Sequence, residues 1–326
     1  MPFLTFLILT YRRPKQLLRL LDQFLDEKWN DIIGLSIEII VADDHSEDDL
    51  RENIGEITKK LIDKGFRFRY IYRDTNLRGD LNLYQGYTQD SKGEYTWLYC
   101  DDDILVVEEA IKFIKEIYDK KPLVGLCGFS QGINKTTHIK LANDVNIEND
   151  IASCVDLLTS WPKTSTYVMK TLRQENFDSA FQVYKGTLFS WIGLCILMIC
   201  ENKNSNCKVL LYPNITAKGD EGYGELSAYS YRIFGKLYFV VEHALSLYGL
   251  DIKDFNKTSK RLQTKSEINL CLQGLYSNYS PKSEIKYSKE ILEQELSFVK
   301  KNLLGIIKSS ENIVILLKII YVKYII

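Results

Sequence analysis

At 326 residues with 45% hydrophobic side chains, the chain can bury a large core and is not a disordered one. Lys and Arg total 42 against 43 Asp and Glu, so no global basic field draws it to nucleic acid, which is disfavoured as a partner. Seven cysteines without a CxxC unit and three scattered histidines without an HExxH helix argue for a reducing compartment and against structural zinc or a histidine-based metal site.

In chain order, MPFLTFLILTYRRP has neither a basic leader nor a small-residue cleavage site, so Leu4–Leu9 is expected to be a buried strand and not a signal peptide. A turn over Thr10–Pro14 and a helix over Lys15–Phe24 follow. Ile37–Ala42 reads as a β-branched strand, Leu50–Lys64 as a helix and Phe66–Arg73 as a strand with clearer alternation, a βαβαβ order. Asn82–Thr88 belongs to a helix, Gln89–Gly93 to the polar loop that ends it, and Tyr95–Cys100 to the next strand. Val107–Tyr118 has amphipathic spacing and Leu123–Phe129 reads as a further strand. About the first 130 residues therefore predict half of an open parallel sheet with short connections.

Two of these strands end in acid. IEIIVADDHSED (37–48) runs into Asp43, Asp44 and Ser46, and YTWLYCDDDIL (95–105) runs into Asp101, Asp102 and Asp103. Carboxylates this close repel one another and prefer water, so their place against a buried strand end makes most sense if a cation neutralises them, which points to a metal–phosphate site. Taken singly, each cluster can instead be a solvated turn or a helix N-cap, with Asp44 or Ser46 capping a helix that starts near Asp48. Their occurrence at equivalent strand ends, where the crevice of a parallel sheet lies, favours a site.

Further on, Leu158–Lys170 reads as a turn at Trp161–Pro162 entering an edge strand with Thr166 and Val168. Phe177, Phe181, Phe189 and Trp191 are either core residues or a wall on which a sugar stacks. Leu188–Cys200 is apolar but, at 13 residues with Gly193 inside, falls short of the roughly 20 that span a bilayer, so a buried helix is expected. A polar turn over 201–208 leads to a short strand, Val209–Tyr212. Asp220 and Glu221 sit among Gly219, Gly222 and Gly224, a flexible loop either beside the site or on the ordinary surface. From Glu225 onward the periodicity is helical. The end, SSENIVILLKIIYVKYII, with Lys318 and Lys323 interrupting apolar runs, fits an interfacial helix on an anionic membrane or a C-terminal helix docked on the catalytic domain.

The segments ILTYRRPKQLLRLLDQF, VADDHSED, RDTNLRG and GEYTWLYCDDDIL stand in the order found in family 2 glycosyltransferases of the GT-A nucleotide-sugar fold, and Asp101–Asp103 resemble that family's DxD-type motif. Within the family, NLRGDLNLYQGYTQDSKGEYTWLYCDDD is most similar to bacterial transferases that attach sugars in polysaccharide or O-antigen assembly, the abequosyltransferase-like branch among them. The resemblance covers about 1–130 well and extends weakly to roughly 230. It implies an α/β fold with a mostly parallel central sheet flanked by helices. It also implies a catalytic domain over 1–230, with a nucleotide-binding half (1–130) and an acceptor half (131–230), and a helical C-terminal region over 231–326.

The resemblance further implies that Thr10, Tyr11 and Arg12 line the nucleotide pocket, that Asp43 or Asp44 contacts the base, and that Asn76, Gly79 and Asn82 lie in the loop beside the nucleotide. In that loop Arg78 and Asp80 depart from the family, and a solvated turn is the plain alternative. Asp101 and Asp102 would lie near the ribose and diphosphate, and Asp103 together with Asp101 would hold Mn²⁺ or Mg²⁺, a hard cation that stabilises a leaving diphosphate. An inverting displacement also needs a carboxylate base. The family's ED-like motif has no clean match here: Glu175 and Asp178 in RQENFDSAF are one choice, Asp220 and Glu221 in AKGDEGYGE the other, with Asp178 favoured for the aromatic segment after it. Ser165 and Thr166 resemble the family's Ser/Thr-rich strand start beside donor sugar and acceptor. The absence of QxxRW resembles a one-sugar transferase and not a polymerase.

The implied partners are a nucleotide-sugar donor, most often UDP in the family with CDP, GDP or dTDP open, and a saccharide or lipid-linked saccharide acceptor, met in the cytoplasm at the inner face of the membrane. A nucleotidyltransferase or a noncatalytic nucleotide- or sugar-binding protein is the competing class, although TYRRPK lacks the glycines of a phosphate loop.

Overall fold

The computed structural model describes residues 1–46, 50–131, 146–148, 150–160, 162–172, 177–203, 209–219, 234–255 and 258. Its elements are β1 (Leu4–Thr10), α1 (Pro14–Gln23), β2 (Ile37–Asp43), α2 (Leu50–Asp63), β3 (Arg67–Tyr72), α3 (Arg78–Gln85), β4 (Tyr95–Cys100), β5 (Asp103–Leu105), α4 (Val107–Lys120), β6 (Val124–Gln131), β7 (Asn146–Glu148), α5 (Ile151–Ser160), β8 (Tyr167–Lys170), α6 (Phe177–Tyr184), α7 (Ser190–Glu201), β9 (Val209–Gly219) and α8 (Phe234–Ser246). The sheet and the helices on it lie in one compact unit, Met1–Glu225 with Val240–Thr258. Leu226–Phe239 and Ser259–Ile326 belong to a second unit, of which Phe234–Phe239 are described.

The strands form one sheet in the order β3-β2-β1-β4-β8-β6-β9-β5, with β7 paired to β9. β1 to β4 are parallel, β8 is antiparallel to β4 and β6, β6 and β9 are parallel, and β5 is antiparallel to β9. From β1 the chain moves to β2 on one side and later to β4 on the other, which opens a crevice at the carboxyl ends of these strands. β2 is buried at every position, which is why it reads as a continuous apolar run without alternation.

One face of the sheet is covered by α1, α2 and α4 around Phe6, Phe24, Trp29, Trp97 and Phe113, with the Phe6 and Trp97 rings stacked 4.9 Å apart. The opposite face meets α3, and closely: a Cβ at Gly86, just past the end of that helix, would stand 2.7 Å from the Leu7 side chain, so the seat requires glycine. The α7 helix is buried from Ser190 to Cys200, as its apolar sequence predicts. Its 12 residues span about 18 Å, and among the described residues no helix is long and apolar enough to cross a membrane.

Several expectations need correction. β8 is an internal strand between β4 and β6, not an edge strand. The strand that begins at Val209 does not stop at Tyr212 but continues to Gly219. Its register against β6 jumps from Tyr212↔Cys127 to Ile215↔Gly128, so Pro213 and Asn214 fall in a bulge, where a missing proline N–H breaks no ladder bond. Asp103–Leu105 forms a strand of three residues, too short to leave a period in the sequence. Arg78–Asp80 is not a solvated turn: it opens α3, and Asp80 is buried. Phe177, Phe181, Phe189 and Trp191 are all buried, which makes them core and removes the sugar-stacking wall.

Candidate functional site

The registers Thr10↔Asp43 and Leu9↔Cys100 bring the ends of β1, β2 and β4 level. Asp101 therefore arrives beside Thr10, whose Oγ1 donates to Asp101 Oδ2 at 2.6 Å. Near this end of the sheet the backbone is left-handed at three non-glycine residues: Arg12 (φ 54°), His45 (φ 67°) and Arg78 (φ 65°). Such conformations cost free energy and collect where a structure holds a site together.

α1 starts at Pro14, a residue suited to the first helical position, and brings basic groups to the acidic turn. The Arg13 guanidinium lies 3.3 Å from Asp101 Oδ1 and bonds Asp102 Oδ2, while Arg19 donates to the Asp102 carbonyl at 3.1 Å. Gln23 fastens β5 like a second strand would, accepting the Leu105 N–H at 2.8 Å and donating to the Leu105 carbonyl at 3.1 Å. Burial pushes the Asp101 carboxyl up to about 6, with Thr10 and Arg13 acting against it.

Asp103 is fully buried. Ser165 Oγ donates to its Oδ2 and accepts the Cys100 N–H at 3.0 Å, while its Oδ1 accepts no hydrogen bond and faces the Lys163 ammonium at 3.5 Å. Burial pushes this carboxyl up to about 6 as well, opposed chiefly by Lys163 and Ser165. Cys100 Sγ, an Asp102 oxygen and an Asp103 oxygen all lie within 4.8 Å of one another, and the two carboxylates are the part of this set suited to a hard divalent cation. The Cys100 thiol is pushed up to about 12 by burial and then by the Asp103 charge, which an added cation would offset. Asp101, expected beside Asp103 at the metal, is not in this group; its oxygens meet Thr10 and Arg13.

Asp43 and Asp44, adjacent in sequence, differ in setting. Asp43 accepts the Ser46 N–H at 2.8 Å and the Tyr70 hydroxyl, so both oxygens brace the end of β2. The Asp44 N–H donates to the Thr10 carbonyl at 3.0 Å, and its Oδ1 accepts the Leu77 N–H at 2.6 Å. Burial raises the Asp44 pKa, opposed by the Leu77 and Arg78 amides and by Arg73. Tyr11 is exposed, with the Arg12 guanidinium 5.0 Å from its ring centroid, and the Arg12 N–H donates to Ser46 Oγ at 2.8 Å. Asn76 accepts the Arg78 N–H at 3.0 Å, and a Cβ at Gly79 would meet open space. Asn82 is buried behind β2, donating to the Ala42 carbonyl and accepting from Arg73, both at 2.9 Å; it supports the loop from below.

Asp80 accepts the N–H groups of Gly186 at 2.8 Å and Leu188 at 2.9 Å and the Ser190 hydroxyl at 2.9 Å. Four residues on, Tyr84 donates to Asp178 and stacks on Phe181 at 3.9 Å. α6 thus runs antiparallel to α3, and Asp178 is tied to that helix through the Tyr84 hydroxyl. Thr166 donates to the Lys163 carbonyl at 2.7 Å, a local support. Glu175, Asp220 and Glu221 lie outside the described residues, but β9 ends at Gly219 directly opposite Asp103. Sequence reasoning missed Arg13, Cys100 and Lys163. Cys100 was legible in principle, since it alternates with Tyr99 along β4 and immediately precedes the acidic run.

The family model described as Glycosyl transferase family 2 matches residues 5–188. No curated protein matches the chain by sequence. Among solved structures the chain is similar to S. aureus TarS 1–349 (TM-score 0.55, 11% identity, 86% of this chain and 75% of that one). It is also similar to the same segment in complex with UDP-GlcNAc (0.55, 11%, 81% and 72%). A longer TarS structure gives 0.56 at 11%, with 92% of this chain and 55% of that one covered. At such identities the likeness is one of fold.

Proposed function

The chain belongs to glycosyl transferase family 2, and from that premise we propose that it transfers one sugar, with inversion, from a nucleotide-diphosphate sugar to a hydroxyl of a saccharide or lipid-linked saccharide. The observation that carries this reading is the buried Asp103 carboxylate, whose Oδ1 accepts no hydrogen bond, beside Asp102 and Cys100 at the carboxyl ends of the central strands. Two carboxylates this close fit a hard divalent cation. Asp102 and Asp103 would hold Mn²⁺ or Mg²⁺, hard ions suited to carboxylates and not to the neighbouring Cys100 thiol, and the ion when bound supplies positive charge to a departing diphosphate.

The chain's own groups do the rest. Thr10 and Arg13 fix Asp101 for the ribose, and Arg13 adds a cation on the diphosphate side. Asp43 braces the turn through the Ser46 N–H, Asp44 contacts the base, and exposed Tyr11 offers an aromatic face for it. The acceptor hydroxyl gives its proton to a carboxylate of the Asp220–Glu221 pair, a choice supported by the path of β9 to Gly219 and by the Tyr84 hydroxyl that engages Asp178. UDP is the proposed nucleotide, because TarS, of the same fold, is seen with UDP-GlcNAc. The 76–103 segment supports a place among transferases of bacterial surface polysaccharide, the abequosyltransferase-like branch among them. The apolar tail interrupted by Lys318 and Lys323 supports work at the inner face of the membrane.

Donor hydrolysis across UDP-, GDP-, CDP- and dTDP-sugars, with Mn²⁺, Mg²⁺ or EDTA, tests the reading. Selection of one nucleotide, dependent on metal and lost in Asp103→Ala, is expected. Folded protein that turns over none of them in any metal would overturn it.

A further inference from the structure

The two oxygens of Asp103 are not equivalent. Oδ2 takes the Ser165 hydroxyl, which the Cys100 N–H holds in place at 3.0 Å, so the carboxylate has one orientation. Oδ1 accepts no hydrogen bond, and the Lys163 ammonium stands 3.5 Å from it. The Asp103 oxygen left open to a divalent cation is therefore the one that Lys163 already neutralises. Two positive charges on one fully buried carboxylate oxygen repel each other strongly, because little water screens them.

We propose that Lys163 is an exchangeable counter-ion of the site: it neutralises Asp103 in the donor-free protein, yields Oδ1 to the metal, and then places its ammonium against the diphosphate of the arriving donor. This rests on the transferase reading above. Lys163 is built for such a move. It immediately precedes the short turn Thr164–Thr166 that leads into β8, its side chain is 24% exposed, and its ammonium rides 4.7 Å over the Phe129 ring, so a long, partly exposed side chain carries the charge. Metal binding takes the Asp103 carboxylate from the ammonium; a diphosphate bound with the metal offers it a new anion. Mn²⁺ and nucleoside diphosphate then bind with positive coupling, and by linkage each strengthens the other equally.

Titration calorimetry of Mn²⁺ into the full chain, alone and with saturating UDP, tests this on the wild type, Lys163→Met, Lys163→Gln and Lys163→Arg. Removing the competing charge should tighten Mn²⁺ binding in the absence of UDP by about tenfold in Lys163→Met and Lys163→Gln, while Lys163→Arg keeps the wild-type value. The gain in Mn²⁺ affinity that UDP confers should shrink in the two neutral variants. Using both guards against one of them failing to fold. Neutral, folded variants that bind Mn²⁺ no more tightly than the wild type overturn the exchange. Wild-type protein that takes up no Mn²⁺ even with UDP contradicts the metal reading itself, which is a different failure.

Discussion

Gly219, the last residue of β9, pairs across the sheet with Asp103, the first residue of β5. Asp220 and Glu221 follow Gly219 in the chain. Asp178 is instead engaged by the Tyr84 hydroxyl. Steady-state kinetics should find that Asp220→Asn or Glu221→Gln lowers kcat by about 10²–10⁴ with donor KM little changed, whereas Asp178→Asn leaves kcat within about threefold. Full activity in both pair variants together with loss in Asp178→Asn would reverse the assignment.

The acid cluster costs stability. The Asp103 pKa rises from 3.8 to about 6 on folding, so the folded chain holds that proton more tightly than the unfolded one. Stability is then greatest below pH 4 as far as this group is concerned, and is lost as pH rises through about 6. At pH 7 the ionised group costs about 2–3 kcal/mol. Asp103→Asn, which still presents an acceptor to Ser165, should therefore raise the Tm of metal-free protein at pH 7 while removing Mn²⁺ binding. A lowered Tm in thermal melts run with EDTA would contradict this.

Proton and metal also compete. Because Asp103 must be ionised to hold a cation, Mn²⁺ affinity should fall about tenfold per pH unit below pH 6 and level off above pH 7. Calorimetric titrations at pH 5, 6, 7 and 8 read this directly, and a flat profile would show that Asp103 is not a ligand.

Gln23 offers a test of how the scaffold positions the site. Its two bonds to Leu105 hold β5, and with it Asp103, against α1. Gln23→Met keeps the length and removes both bonds, so it should cost about 1–3 kcal/mol in denaturant unfolding and weaken donor binding indirectly, through the placement of Asp103. Unchanged donor affinity in a destabilised variant would show that β5 is positioned by β9 alone.

Much of this was legible in the sequence, and the reasons can be named. β1, β2 and β4 are buried on both faces and so announce themselves as unbroken apolar runs, and their parallel order fixes which ends hold Asp43 and Asp101. What the sequence hid depends on contacts between segments far apart. Lys163 meets Asp103 across 60 residues because β8 inserts between β4 and β6, an antiparallel placement that no local pattern encodes. The division of labour between Asp101 and Asp102 follows from Thr10 and Arg13 occupying Asp101, a matter of register and helix position. The bulge at Pro213 broke the pattern of β9 and so concealed that the strand reaches Gly219.

The central claim, a donor site whose metal is held by Asp103, is tested most directly by calorimetric binding of UDP with and without Mn²⁺ to the wild type and Asp103→Asn. The account predicts UDP binding that Mn²⁺ strengthens at least about tenfold in the wild type and leaves unchanged in the variant. Equal strengthening in both proteins, or none in the wild type, would contradict it.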